Sequence, residues 1–364
     1  MAALEQAKRP VLLTGGGIIL ADMAAPLWDV VQKTQVPVIT SLMGKGAVPD
    51  SYDAHLGMVG MHGSYAANMA VTKCDLLIAV GTRFDDRITG DVENFAPNAQ
   101  IVHFDIDKVE INKIVHADIS VNGDLRWSLP LFDEKVRQSG VDFAAQFADW
   151  RKEVLAMNEA HPFATRDLPD AVSPQKLFEA VNSRLGADDF VVTDVGQHQM
   201  WAAQFCDISK PRHFITSGGL GTMGYGLPAA MGAKLGCSGS TVVLFTGDGS
   251  IMMNCQEFAT LHKYGVDVKV IVLHNSVLGM VNQWQRLFYG SIIPSRSSPT
   301  TRILRPYQEP WACRGGLSAS LRNWPRAWTG SLPPKGRRCW TSTFQPMKTY
   351  IPWCRAASAW TKWS

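Results

Sequence analysis

No apolar run in this chain is long enough to cross a bilayer, which takes roughly 18 or more uncharged residues, so no membrane span is expected. The opening stretch "MAALEQAKRPVLL" lacks the basic, apolar and small-residue layout of a secretory leader. None of the seven cysteines stands in a CxxC pair. That argues against a disulfide framework or a zinc site and for reduced thiols in a cytoplasmic protein. No internal repeat or low-complexity tract occurs before residue 290.

Acidic residues are nearly missing from one end. Residues 291–364 hold 12 Lys+Arg and a single acid, Glu309, and carry +11. Residues 1–290 hold 23 bases and 31 acids and carry −8, so the overall +3 joins two unlike parts. The same last 74 residues contain 7 of the 12 tryptophans and 9 of the 20 prolines. Basic charge confined to one odd segment is no footprint for nucleic acid, and no such partner is expected. The 46% hydrophobic and 18% charged content of the whole reads as globular, and 364 residues suffice for two or three domains.

What is present is a succession of buried strands. "RPVLLTGGG" (9–17), "VPVIT" (36–40), "CDLLIAVGTRF" (74–84) and "AQIVHFDID" (99–107) are apolar runs, and those at 9–17, 74–84 and 99–107 end in glycine or polar residues. Helical stretches such as "AAPLWDVVQKT" lie between them. This alternation predicts an α/β fold with a parallel sheet over 1–133. Residues 134–172 are more polar, with weak helical signals in "FAAQFADWRKEVLAM", and read as a linker. A second α/β domain is expected over 173–290, from "SPQKLFEAVNSRL" through "FVVTDVG" (190–196) and "SGGLGTMGYGLPAAMGAKLG" (217–236). Two doubly wound parallel-sheet domains followed by an irregular tail are therefore expected. Ligands in such folds gather at the carboxyl ends of strands.

The stretch "GDGSIMMNCQEFATLHKYGVDVKVIVLHN" (247–275) carries the chemistry. Apolar runs "TVVLFT" and "VKVIVL" precede Asp248 and Asn275, with a helix-length segment between. A β-α-β crossover makes two such strands parallel and usually adjacent, so Asp248 and Asn275 face one crevice. A carboxylate and an amide oxygen, with other positions open, suit Mg²⁺ bound together with phosphate oxygens. The bland alternative for Asp-Gly alone is a turn.

Gly-Asp-Gly followed at this distance by Asn resembles the cofactor signature of thiamine diphosphate enzymes. The resemblance implies that Asp248, Asn275 and the main-chain oxygen of Val277 hold the metal, with Gly249 and Ser250 beside them. In "VGQHQMWAAQ" it assigns Gln197 and His198 to the diphosphate, although His198 alone would read as a satisfied histidine. In "GGLGTMGYGLPAA" it assigns the carbonyl of Gly221 to the aminopyrimidine and the side chain of Met223 to the wedge that bends the cofactor. Glycines there permit close backbone approach to a flat ring.

The resemblance narrows to the acetolactate synthase (acetohydroxyacid synthase) large subunit family over about 1–290, on "GMHGSYAANMAVTKCDLLIAVGTRFDDRITG" (60–90), "HFDIDKVEINK" (103–113) and "GMVNQWQRLF" (279–288). It implies a structural FAD along His62, Gly63, Gly81, Arg83, Asp105, Asp107 and Asp124. It places Asp86 and Arg87 near the substrate channel, with Arg87 facing an acceptor carboxylate, and Met280 and Trp284 at the pocket for the second 2-keto acid. Surface ion pairing and core packing are the bland readings of these residues. The implied reaction decarboxylates pyruvate and joins the product to pyruvate or 2-ketobutyrate, feeding valine, leucine and isoleucine synthesis. A homo-oligomer and a small regulatory subunit are the implied partners. Another thiamine diphosphate-dependent 2-keto acid decarboxylase or oxidase, and a cofactor-binding remnant without turnover, are the alternatives.

Two departures from the family pattern stand out. By this resemblance the sequence opens at the approach to the family's second domain, so no residue in it is expected to match the catalytic glutamate of the family's first domain. The likeness also stops after "RLFYG", where "SIIPSRSSPTTRILRP" follows. One permitted codon choice for the ending, read in a shifted frame, spells "DENVYPMVPGGKRLDEMV", and the same shift turns "SIIPS" into "HYSE". Both match the family, so residues 291–364 are expected to be an out-of-frame, poorly ordered tail.

Overall fold

The computed structural model describes residues 1–165 and 172–290, and the backbone of 339–343. The described chain divides into two compact units.

The first unit holds a six-stranded, wholly parallel sheet: β1 (Pro10–Thr14), β2 (Val38–Thr40), β3 (His55–Met58), β4 (Leu76–Val80), β5 (Gln100–Asp105) and β6 (Ile119–Asn122), ordered β3-β2-β1-β4-β5-β6. β1 and β4 are buried along their whole length. That is why they read as unbroken apolar runs: both faces are covered. Leu12, Leu76, Ile78 and Val80 pack on one face with Leu27, Val31 and Leu129. Val11, Leu13, Leu77 and Ala79 pack on the other with Ala67, Val71 and Trp150. Alternate residues of each strand thus feed opposite cores, as the pleat requires. The helix Tyr65–Lys73 starts where Ser64 Oγ accepts the N–H of Ala67 at 3.0 Å.

The first unit extends well past residue 133. The helix Leu125–Gln138 crosses that boundary, and the helix Ala148–Ala160 packs into the same unit. Phe143 and Phe147 lie in one core, Trp150 and Val154 in the other, and Trp150 Nε1 donates to the Pro10 carbonyl at 2.9 Å. Residues 134–163 are therefore part of the domain and not a linker. The apolar set Trp150, Val154 and Met157 has helical spacing, but it is diluted by the polar outer face of its helix. Asp207–Arg212 also belongs to this unit. There Ile208 N donates to Asp50 Oδ2 at 2.8 Å and Arg212 to the Ile19 carbonyl at 2.7 Å.

The second unit is a five-stranded parallel sheet: β7 (Phe190–Thr193), β8 (Phe214–Ile215), β9 (Val242–Gly247), β10 (Lys269–His274) and β11 (Cys339–Thr343), ordered β11-β10-β9-β7-β8. β9 and β10 are neighbours, with Lys269 opposite Val243 and Leu273 opposite Gly247. The helix Glu257–Tyr264 makes the crossover and stops at Gly265 in the left-handed region. Leu244, Val270 and Val272 pack on one face with Leu227, Ala230, Phe258 and Leu261, while Phe178 meets Phe245 in a tilted ring contact at 4.4 Å.

β11 corrects part of the reading of the tail. Cys339–Thr343 pairs in parallel with the outer edge of β10. An open strand edge offers unpaired N–H and C=O groups, and a run of Trp and Thr has the propensity to fill it. Otherwise the expectation for 291–364, the shifted frame included, lies outside the described residues, as does the linker expectation at 166–171.

Candidate functional site

The order of the second sheet reverses between β9 and β7, so their carboxyl ends open a crevice. Three loops meet there. After β7 come Asp194, Val195, Gly196, Gln197 and His198. After β9 come Asp248, Gly249 and Ser250, and after β10 come Asn275, Ser276 and Val277. Ser250 Oγ donates to the Val195 carbonyl at 2.8 Å and joins the first two loops.

Asp248 is almost fully buried, and its carboxylate is held by three donors. Oδ1 accepts from Gly249 N at 2.9 Å. Oδ2 accepts from His274 Nδ1 at 2.6 Å and from Ser276 N at 2.9 Å. Asn275 Oδ1 accepts from Val277 N at 3.1 Å, and its amide nitrogen lies 3.4 Å from Gln197 Oε1. Gln197 Nε2 in turn donates to the buried Gln283 at 3.0 Å. Gly279 sits against this group, and a side chain there would overlap Gln197 Oε1. The crossover thus does bring Asp248 and Asn275 to adjacent strand ends, with Gln197 bridging to the third loop.

His198 is buried at the same strand ends. Burial pushes its ring down to about 4, against the pull of the Asp194 main-chain oxygen and the Asp248 charge. Its Nε2 has no partner among the described residues, so a polar atom is held ready in a buried place. Asp194, wholly buried, accepts from Val195 N at 2.9 Å and from Gly224 N at 2.8 Å, while burial pushes its carboxyl up. Asn254 Nδ2 donates to the Gly224 carbonyl at 2.7 Å. The main chain of Gly224, next to Met223, is therefore held at both its N–H and its C=O. Gly224 has φ +90°, a conformation closed to side chains, and a Cβ would meet Met253 at 2.8 Å. Gly221, also at positive φ, is exposed, and Met223 Cε lies 3.6 Å from where a Cβ on Gly249 would stand.

This crevice falls inside a region that matches the family model "Thiamine pyrophosphate enzyme, C-terminal TPP binding domain" over residues 194–304. The model "Thiamine pyrophosphate enzyme, central domain" matches residues 1–131. The chain belongs to the thiamine pyrophosphate enzymes. It is similar to the acetolactate synthase isozyme 2 large subunit of Escherichia coli, 44% identical over 303 residues, covering 83% of this chain and 53% of that one. It is 48% identical over 286 residues to the acetolactate synthase large subunit of Parasynechococcus marenigrum, covering 79% of this chain and 46% of that one. The corresponding protein of Lactococcus lactis is 43% identical over 291 residues, with 79% and 49% covered. The chain spans about half the length of these relatives.

The oxygens present fit a hard divalent cation. Each carboxylate or amide oxygen has two lone pairs. Asp248 Oδ1 and Asn275 Oδ1 each give up one to a main-chain N–H and keep one. Val277 follows two residues after Asn275 on the same loop. Among the described residues no group of three or more His, Cys, Asp or Glu side chains could hold a metal, so a cation here would need amide or main-chain oxygens as well. Met280 and Trp284 lie one helical turn apart on Gly279–Phe288, hence on one face, with Trp284 edge-on to Phe288 at 6.4 Å.

The first unit's candidates gather at its own strand ends. His62 and Gly63 follow β3, Gly81 and Arg83 follow β4, Asp105 ends β5, Asp107 comes just beyond it, and Asp124 follows β6. Several already have structural partners. Gly17 N donates to the Gly81 carbonyl at 2.8 Å, and the two backbones touch too closely for a Cβ on either. Asp105 accepts from Asp107 N at 2.8 Å; burial opposes its ionisation, yet His103 and that N–H hold it below the usual carboxylate range. Asp124 caps the helix Leu125–Gln138 and pairs with Arg126, which lowers its carboxyl. Desolvation, then the Arg87 charge, push His62 down to about 4. Arg87 pairs with Asp86 at 3.1 Å on the surface, and Arg83 lies 3.9 Å from Asp85.

Sequence reasoning missed Asp194, Asn254, His274, Ser276 and Gln283. A signal existed for two of them. Asp194 and His274 are polar residues at the inner ends of apolar runs, where a buried polar group must have partners.

Proposed function

We propose that this chain is the cofactor-binding and substrate-facing part of an acetolactate synthase, which decarboxylates pyruvate and joins the product to a second 2-keto acid. The observation that carries this reading is the convergence of Asp248 and Asn275 at adjacent parallel strand ends, tied through Gln197 to the loop after β7. Asp248, Asn275 and the Val277 carbonyl hold Mg²⁺, and Gln197 and His198 face the diphosphate. Gly221 and Met223 receive the aminopyrimidine. Thiamine diphosphate, when bound, supplies the nucleophile and electron sink that 2-keto acid chemistry needs. Arg87 offers a guanidinium for an acceptor carboxylate, whether pyruvate or 2-ketobutyrate. Met280 and Trp284 bound the acceptor pocket.

FAD is proposed along the first unit's strand ends, with His62, Gly63, Gly81, Arg83, Asp105 and Asp107 beside it. Asp124 contributes by fixing the helix that follows β6. The family name of the relatives, "large subunit", supports a small-subunit partner for this chain as well, and a homo-oligomer is proposed with it. Residues from about 291 are proposed to be read out of frame, and sequencing the coding DNA tests this: no family ending after a one-base correction would sink it.

The test titrates thiamine diphosphate into the purified chain with and without Mg²⁺ and then assays product from pyruvate with FAD added. Mg²⁺-dependent binding that Asp248→Ala abolishes is the expected result, and acetolactate as product identifies the synthase. Acetaldehyde as sole product points to a decarboxylase. Binding without turnover points to a cofactor-binding remnant. No Mg²⁺-dependent binding overturns the reading.

A further inference from the structure

The carboxylate of Asp248 is not symmetric. On Oδ2 both lone pairs are taken, by His274 Nδ1 at 2.6 Å and by Ser276 N at 2.9 Å. On Oδ1 only one is taken, by Gly249 N at 2.9 Å. A carboxylate accepts only, so His274 Nδ1 carries the proton. His274 Nε2 lies 3.1 Å from Ser276 Oγ, which fixes the other side of the ring. Asp248 and His274 are both buried, so little water competes for these bonds. Ser276 reaches its position with φ +59°, a conformation that is uncommon for a residue with a side chain and needs support from its surroundings.

We propose that His274, braced by Ser276, is a positioning residue that blocks Oδ2 and confines Asp248 to one-oxygen coordination of the cation, thereby selecting Mg²⁺ over Ca²⁺. This rests on the proposed function above. Mg²⁺ demands near-octahedral geometry with single oxygens at short distance, whereas Ca²⁺ accepts bidentate carboxylates in a looser shell. A blocked Oδ2 removes the bidentate option. Residues that orient a metal's ligands typically change affinity 10–100-fold when lost.

The experiment titrates thiamine diphosphate into the full chain at a series of Mg²⁺ and, separately, Ca²⁺ concentrations, and reads binding by calorimetry. In His274→Leu the Mg²⁺-supported affinity falls by about 10–100-fold while the Ca²⁺-supported affinity falls less, so the preference narrows. His274→Asn, whose amide can donate to Oδ2, recovers part of the preference. Equal losses for both ions, or unchanged affinity, overturn the inference. If His274→Leu does not fold, Ser276→Ala decides: a narrowed preference supports the inference and an unchanged one overturns it. If the parent chain binds no thiamine diphosphate with either ion, the functional reading itself falls and takes this inference with it.

Discussion

Asp194 Oδ1 accepts the N–H of Gly224 at 2.8 Å, across thirty positions of sequence. The bond ties the end of β7 to the loop that carries Met223. Because Asp194 is wholly buried, its donors have no water to turn to if it is removed. Asp194→Ala should therefore cost about 2–4 kcal/mol of stability by leaving at least two buried N–H groups unpaired. Urea unfolding measures it. A loss within about 0.5 kcal/mol, as is usual for exposed sites, would show that the loop is not held from this point.

Gly279→Ala separates site geometry from stability. The new methyl would overlap Gln197 Oε1 and approach Asn275 Nδ2 at 2.8 Å, both at the ends of side chains that can move. Stability should change by less than about 1.5 kcal/mol, while affinity for Mg²⁺ and thiamine diphosphate should fall about tenfold. Unchanged binding would remove Gln197 and Asn275 from the site.

Trp150→Phe tests whether the helix Ala148–Ala160 belongs to the first domain. The indole N–H donates to the Pro10 carbonyl in a buried setting. Losing it should lower stability by about 1–3 kcal/mol. A true linker would tolerate the change without a shift of the unfolding midpoint.

Stability should fall as the pH drops from about 6.5 toward 4. Burial holds His55, His62 and His198 down to about 4, whereas in the unfolded chain they titrate near the ordinary histidine value of 6.5. In that window the unfolded state binds more protons, so stability rises with pH and is lost on acidification. Asp194 and Asp207, which burial pushes up, work in the opposite direction as the pH falls through their raised values. The check is therefore a comparison: urea midpoints at pH 7 and 5 for the parent and for His198→Gln. The variant should lose less on acidification. Identical slopes would contradict a neutral buried ring at 198.

The apolar runs at 9–17, 74–84, 190–196 and 241–246 were enough to place strands, because a strand covered on both faces has no polar positions to blur it. The pair Asp248 and Asn275 was legible for a related reason: a crossover of that length leaves few alternatives to adjacent parallel strands. The linker reading of 134–172 failed at 134–163. There the signal was two buried residues and one half-buried, about a helical turn apart, among polar neighbours that only the packed structure identifies as an outer face.

The sequence by itself determined the parallel α/β class, and it placed Asp248 and Asn275 at the ends of adjacent strands. These follow from local order: hydrophobic period, glycine at turns, and polar residues at strand ends. Only the tertiary structure decided the strand order that opens the crevice between β7 and β9, the inclusion of Asp207–Arg212 in the first unit, and the use of His274 to hold Asp248. Each of these depends on which buried polar group meets which partner across tens of residues, and hydrogen-bond satisfaction in a core is settled by packing, not by spacing along the chain.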